Sequence, residues 1–405
     1  MSLQPASPVA APVWSAGYTE IAPRQEFRRD IQGLRALAVL LVIGTHAAIP
    51  GFAGGYVGVD VFFVISGYVI TELLLREATK GPLLGLAEFY SRRIRRIAPA
   101  ATATLVGTLV VAALVLGPSL NPHLPGDVRW ASLFAANFRL IATGSNYFVA
   151  GVYPSLITQF WSLAVEEQFY LVFPLVVFLI ARLVPPGRRL RVLALTLLVG
   201  VALSAWWSMH ISAADPTPAY YSPFTRFWEL GLGCLLAIAT ARHQSRPVWA
   251  ALLATVLGVV LLVLALVSLN ATSVFPGWRA WLPCGATALF IWAGAGGART
   301  PITRLLATRP LGYIGNISYS LYLVHFMWME LPKQLATPHA GWAWTVVEIA
   351  GTVVTAVCSY HLLENPIRRS KRLAADGVAT GLMLCLCVAA SWTTATIVAK
   401  LLHLA

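Results

Sequence analysis

"DIQGLRALAVLLVIGTHAAIP", residues 30–50, is a run of small and branched apolar residues with Arg35 near its start and His46 near its end. As a helix it reaches across the hydrocarbon core of a bilayer, which takes about 20 residues. An ionisable side chain at that depth is expensive unless a partner or a polar cavity meets it, so Arg35 and His46 are functional candidates from the outset. Their separation is almost three helical turns, which puts both on one face about 16 Å apart.

The rest of the chain is of the same kind. Of 405 residues, 58% are hydrophobic and only 11% are charged, and the mean hydropathy is +0.72. A soluble domain carries about 25% charged residues. The composition therefore predicts an all-α, polytopic transmembrane helical bundle. Further apolar runs fall at 56–75, 97–117, 162–183, 190–210, 224–241, 247–268, 279–296, 312–332, 341–362 and 377–400. The expectation is about ten core helices in residues 27–372, plus an additional C-terminal membrane helix in 373–405. Residues 1–26, rich in Ala, Pro and Ser, read as a flexible cytoplasmic tail. They lack the basic start and apolar stretch of a signal peptide, so the first helix reads as a retained signal anchor.

The net charge of +13 raises the question of a nucleic-acid partner. Its placement answers that question. With the N-terminus cytoplasmic, 23 of the 29 basic residues fall on the inner side, among them Arg24, Lys80, Arg92, Arg93, Arg95, Arg96 and Arg242. Only Arg129, Arg139, Arg226, Arg279, Lys333 and Lys400 fall on the other. This asymmetry predicts a multi-pass cell-membrane protein with an inner N-terminus and an outer C-terminus, surrounded by lipid and without nucleic acid. The five cysteines lie in apolar segments without metal-ligand spacing, read as small core residues, and predict no metal site.

Depth follows from orientation. Asp60 in "GGYVGVDVFFVISGYVI", Glu166 and Glu167 in "QFWSLAVEEQFYLVFPL", and Ser318, Tyr319, Tyr322 and His325 in "IGNISYSLYLVHFMW" all come to the outer half of the membrane with His46. His46 and a carboxylate at matching depth suit an acid/base pair. His325 is as easily a helix-packing residue, and Asp60 as easily an anchor for helix ends. Adjacent residues diverge by about 100° on a helix, so one of the two glutamates is expected to face the cavity. "GGYVG" reads as a tight turn. On the inner side, "FYSRRIRRIAPA" sets guanidiniums three residues apart on a helix, which suits bidentate phosphate binding, although such a run is also an ordinary positive-inside anchor. The outer connection 118–160 carries Trp130, Phe134, Asn137, Phe138, Asn146 and Tyr147, a composition suited to sugar stacking or to an interfacial segment.

Together, "RRDIQGLRALAVLLVIGTH", "GGYVGVDVFFVISGYVIT", "RRIRRIAPA", "FWSLAVEEQFYLVFP", "GNISYSLYLVH" and "LLENPIRR" resemble the successive motifs of the acyltransferase 3 membrane family over about residues 28–370. The resemblance implies a ten-helix core that takes an acyl group, acetyl by default, from cytoplasmic acyl-CoA as co-substrate. The group passes to a hydroxyl of a sugar-containing or lipid-linked acceptor at the outer face, with no tightly bound cofactor. The acceptor implied is a glycan or glycolipid of a bacterial cell envelope, with a glycosylated small molecule such as a macrolide as the alternative. The family's basic-residue–ten–histidine motif falls on Arg35 and His46, and its R-x-x-R motif on Arg93 and Arg96, with Arg92 and Arg95 the offset pair. The glutamate motif falls on Glu166. Arg35, Arg93 and Arg96 are then the expected CoA-phosphate ligands and His46 the general base, oriented by Glu166 or Asp60. Ser162, Tyr322 and His325 are expected to bind the acceptor. Direct transfer is preferred to an acyl-histidine intermediate. Larger family members can carry a C-terminal hydrolase-like domain, and none is expected here. From another class, a proton-coupled transporter would also bury His, Asp and Glu, but no internal repeat is found.

Overall fold

The computed structural model describes residues 28–77, 82–145, 147, 155–241, 246–297, 299–335 and 341–404. The expected N-terminal tail, and Asn146 of the outer connection, lie outside the described residues. Every regular element among the described residues is helical. In chain order these are α1 Arg29–His46, α2 Gly58–Glu77, α3 Pro82–Leu116, α4 Leu124–Ser132, α5 Ala136–Ala142, α6 Phe160–Leu183, α7 Arg189–Ile211, α8 Pro216–Tyr221 and α9 Pro223–Thr240. Then follow α10 Val248–Ser268, α11 Trp281–Ala295, α12 Pro301–Leu306, α13 Arg309–Glu330, α14 Trp342–Ser359, α15 Asn365–Arg368, α16 Lys371–Ala375 and α17 Gly377–Leu401.

All eleven expected spans are helical, but they divide into two kinds. Seven are long and apolar enough to cross a membrane by length and composition: α2, α3, α6, α7, α10, α14 and α17. The other four are α1, α9, α11 and α13. They are shorter or more polar, because they carry Arg35 and His46, Arg226 and Glu229, and the Ser–Tyr–His face of α13. These helices sit inside the bundle, where protein rather than lipid surrounds them, so lower hydropathy is tolerated.

Two glycine contacts bring the polar helices together. A Cβ on Gly315 of α13 would collide with the backbone of Gln32 in α1. One on Gly67 of α2 would collide with Leu230 of α9, and one on Gly233 of α9 with Val64 of α2. Close backbone approach at small residues is how membrane helices gain packing without a hydrophobic drive. α1 and α13 consequently run parallel, with His46 and His325 meeting near their far ends.

The arginine run lies inside a helix rather than ahead of one. The Leu, Ala, Glu and Arg residues before Pro99 are good helix formers, so α3 starts at Pro82 and continues through Pro99. "GGYVG" is the expected turn, a short 3-10 segment over Gly55–Val57. α17 lies at the periphery, 17% buried over its most apolar stretch against 72% for Gly55–Leu75. It packs on α3 and α4, where Arg129 donates to Thr396 Oγ1 at 3.1 Å. The cysteines do not all fit the core reading. Cys234 and Cys284 are buried, whereas Cys358 and Cys385 are exposed and Cys387 is half-buried, on the outward faces of the peripheral α14 and α17.

Candidate active site

Between α1, α2, α3, α6 and α13 lies a cavity of about 170 Å³. It is lined by six of the nine expected site residues: Arg35, Arg93, Arg96, Ser162, Glu166 and Tyr322. Each comes from a different turn of a packed helix, so no short stretch of sequence contains the site.

The offset arginine pair is engaged elsewhere. Arg92 pairs with Glu88 at 2.5 Å, one turn away. Arg95 donates to the carbonyls of Ser91 and Ser370. Arg93 and Arg96, three residues apart, face the cavity instead. Arg93 is not free for a ligand in the same way as Arg96. Its Nη2 bonds Glu167 Oε1 at 2.9 Å and lies 3.8 Å from Glu166 Oε1. Its guanidinium also sits 3.7 Å from the ring centroid of Tyr170. Among the described residues, Arg35 and Arg96 have neither an ion-pair nor a hydrogen-bond partner. Two guanidiniums left open to a cavity inside the bundle are chemically suited to an anion, since a charge away from water needs a partner.

Both glutamates line the cavity, against the expectation that one would turn away. The 100° between them is spanned by Arg93, which reaches the two carboxylates with one nitrogen. Glu166 is further fixed by Ser66 Oγ at 2.7 Å and by the Tyr170 hydroxyl at 2.5 Å. On the π-helical turn Tyr360–Glu364, buried Glu364 accepts from Ser320 Oγ at 2.8 Å.

From the cavity the polar path continues along α13. Tyr322 Oη is 2.6 Å from Ser162 Oγ, the His325 ring is 5.4 Å from that of Tyr322, and the His46 ring is 5.1 Å from that of His325. His46 closes the path. Its Nδ1 faces Val42 O at 2.9 Å, and a carbonyl only accepts, so Nδ1 carries the proton. Nε2 is then the lone-pair nitrogen, and it accepts from the Tyr147 hydroxyl at 2.7 Å. By the same reasoning His325 donates from Nδ1 to Tyr322 O at 2.7 Å. Its buried Nε2 is left as a lone pair without a partner among the described residues.

The imidazole of His46 is therefore oriented by its own helix and by a tyrosine, and neither Glu166 nor Asp60 bonds it. Asp60 belongs to a second cluster. Its Oδ1 lies 3.1 Å from Arg226 Nη2, and Arg226 Nη1 lies 2.9 Å from Glu229 Oε1. Arg226, placed by sequence among the outer-side cations, is wholly buried here. The expected anchoring of Asp60 to helix ends takes a different form: its contact is an ion pair with a side chain of α9. Asp60, Glu229 and Cys284 bring one ligand atom each within 4.8 Å of one another, and Arg226 is the counter-cation among them.

Sequence reading missed Tyr170, Ser66 and Glu364 as site residues, and Arg226 and Glu229 as a cluster. Tyr147 was noted only as an aromatic of the outer connection. A charged pair at i, i+3 on an otherwise apolar α9 was the available signal for Arg226 and Glu229.

A family model described as "Acyltransferase domain", acyltransferase 3, matches residues 28–364. The peptidoglycan O-acetyltransferase OatA of Listeria monocytogenes is 30% identical over 351 residues, covering 84% of this chain and 56% of that protein. The putative peptidoglycan O-acetyltransferase YrhL of Bacillus subtilis is 32% identical over 348 residues, covering 84% and 54%. The O-acetyltransferase OatA of Staphylococcus aureus is 31% identical over 349 residues, covering 84% and 57%. The chain thus spans a little over half the length of these relatives. No solved structure matches.

Proposed function

The chain belongs to the acyltransferase 3 domain family, and from that premise we propose that it moves an acyl group, acetyl in the simplest case, from cytoplasmic acyl-CoA to a hydroxyl of a cell-envelope glycan or glycolipid. The observation that carries this reading is the pairing of two unpartnered guanidiniums, Arg35 and Arg96, with a histidine at the far end of the same helix as Arg35. Arg35 and Arg96 take the CoA phosphates, and Arg93 holds Glu166 and Glu167 in place beside them. The pantetheine arm runs along α1, whose rise carries it about 16 Å to His46.

There, the Tyr147 hydroxyl already donates to Nε2 of His46, so the imidazole takes the proton of the acceptor hydroxyl through it: Tyr147 passes its own proton to Nε2 and receives that of the acceptor. The acceptor oxygen attacks the thioester carbonyl, a C–O bond forms, the C–S bond breaks, and the departing thiolate recovers the proton from the imidazolium. His325, with its free Nε2, and the Ser162–Tyr322 pair offer hydrogen-bonding groups to the acceptor. The relatives named as acting on peptidoglycan support a cell-wall glycan over a glycosylated small molecule. The charge asymmetry of the sequence, which favours an inner N-terminus, supports a donor bound from the cytoplasm.

Vesicles of opposite sidedness test this. Acetyl-CoA supplied to inverted vesicles carrying the protein and envelope glycan is expected to release CoA, while right-side-out vesicles release none. Release from right-side-out vesicles alone overturns the proposed direction of transfer.

A further inference from the structure

We propose that the buried Asp60–Arg226–Glu229 triad is a positioning device for His46, acting through Tyr220 and Tyr147; the inference rests on the acyl-transfer reading above. Asp60, Arg226 and Glu229 have no exposed side-chain surface. Such a dry ionic cluster adds little net stability over apolar packing, but it holds one geometry firmly because each charge is stranded without the others. The Arg226 Cζ sits 5.5 Å from the ring centroids of Phe63 and Trp161 and 5.7 Å from that of Tyr220. The triad thereby fixes α2, α6 and α8 against α9.

Tyr220 passes this on. Its ring also lies 4.7 Å from that of Trp161, and the Tyr147 ring stacks on it at 4.8 Å and 25°. Tyr147 in turn places its hydroxyl on Nε2 of His46. Tyr147 lies in the connection between α5 and α6, outside any helix that would fix it by backbone geometry. The ring of Tyr220, stacked on that of Tyr147, together with the side-chain hydrogen bond between the two residues, sets in this account where the Tyr147 hydroxyl points. Asp60, expected to orient His46 by contact, orients it in this account across three intervening side chains.

The experiment uses the full chain in detergent, with acetyl-CoA and envelope glycan, and compares Tyr220→Leu, Tyr220→Phe, Tyr147→Phe, the Tyr147→Phe/Tyr220→Leu double variant and Arg226→Lys. Tyr220→Leu is expected to lower kcat by about 10–100-fold with KM for acetyl-CoA unchanged. Tyr220→Phe, which keeps the stacking ring, restores most of that loss. The double variant is expected to be no slower than Tyr147→Phe alone, since both changes remove the same placement. Arg226→Lys keeps the charge but not the fork, and is expected to reproduce the Tyr220→Leu loss. Should it not fold, Glu229→Gln takes its place, and wild-type kcat in whichever of the two folds overturns the role of the triad. Wild-type kcat in Tyr220→Leu, or losses that multiply in the double variant, overturn the inference. If the wild type releases no CoA while still folded, the acyl-transfer reading falls and takes this inference with it.

Discussion

Two clusters in this bundle have the same composition: one guanidinium between two carboxylates. Arg93 stands between Glu166 and Glu167 at 3.8 and 2.9 Å, and Arg226 between Asp60 and Glu229 at 3.1 and 2.9 Å. They differ in what surrounds them. The Arg93 group keeps 15–23% of its side-chain surfaces exposed, all three residues line the cavity, and two further guanidiniums stand beside it. The Arg226 group keeps 0% and is enclosed by aromatic rings. A cluster that can be solvated can exchange a protein partner for a ligand, whereas a dry one cannot release any member without stranding a charge. The first is suited to binding and the second to holding.

Removing the central arginine from each should break the symmetry most sharply. Arg226→Met leaves two carboxylates buried together, and is expected to cost about 3–5 kcal/mol of stability, read as a lowered thermal midpoint in detergent. Arg93→Met, with a polar cavity beside it, is expected to lower that midpoint far less. Equal losses would remove the distinction between the clusters. Next in size, Arg35→Met and Arg96→Met should each weaken acetyl-CoA binding by about 10–100-fold, the worth of a charge-assisted contact, with the thermal midpoint kept. A fall in stability instead would make these two arginines structural. Smallest, Arg93→Lys should lower acetyl-CoA affinity by about 1 kcal/mol, since lysine keeps the charge but loses the fork and the stack on Tyr170.

Most of the fold was legible because hydropathy over twenty-residue stretches reports burial in lipid whatever the tertiary contacts. Every expected span is a helix. The start of α3 was not legible, because a basic amphipathic run reads as a loop flank when only apolar length is counted. At the site, the Arg35–His46 spacing is readable from helix periodicity alone, whereas the i, i+3 rule fits Arg92 with Arg95 as well as Arg93 with Arg96, and only the family resemblance points to the second pair. Glu166 is expected in the outer half beside His46, but the structure sets it next to Arg93 in the arginine-lined cavity. Its other partners come from α2 and from one turn further along α6, which no local pattern encodes. The group in contact with Nε2 of His46 is Tyr147, rather than Glu166 or Asp60 as expected, for the same reason. Depth along a helix is readable from sequence, and the direction a residue faces across a bundle depends on which helices touch, set here by Gly67, Gly233 and Gly315.

The central claim is a division of labour along α1, with donor binding at Arg35 and Arg96 and chemistry at His46. The most direct test measures acetyl-CoA binding and CoA release for the wild type, His46→Ala and the Arg35→Met/Arg96→Met double variant side by side. The account predicts that His46→Ala binds acetyl-CoA normally while kcat falls by about 10²–10⁴-fold, and that the arginine variant loses binding. If His46→Ala loses binding, or turns over as the wild type does, the two ends of α1 do not divide the work and the account is wrong.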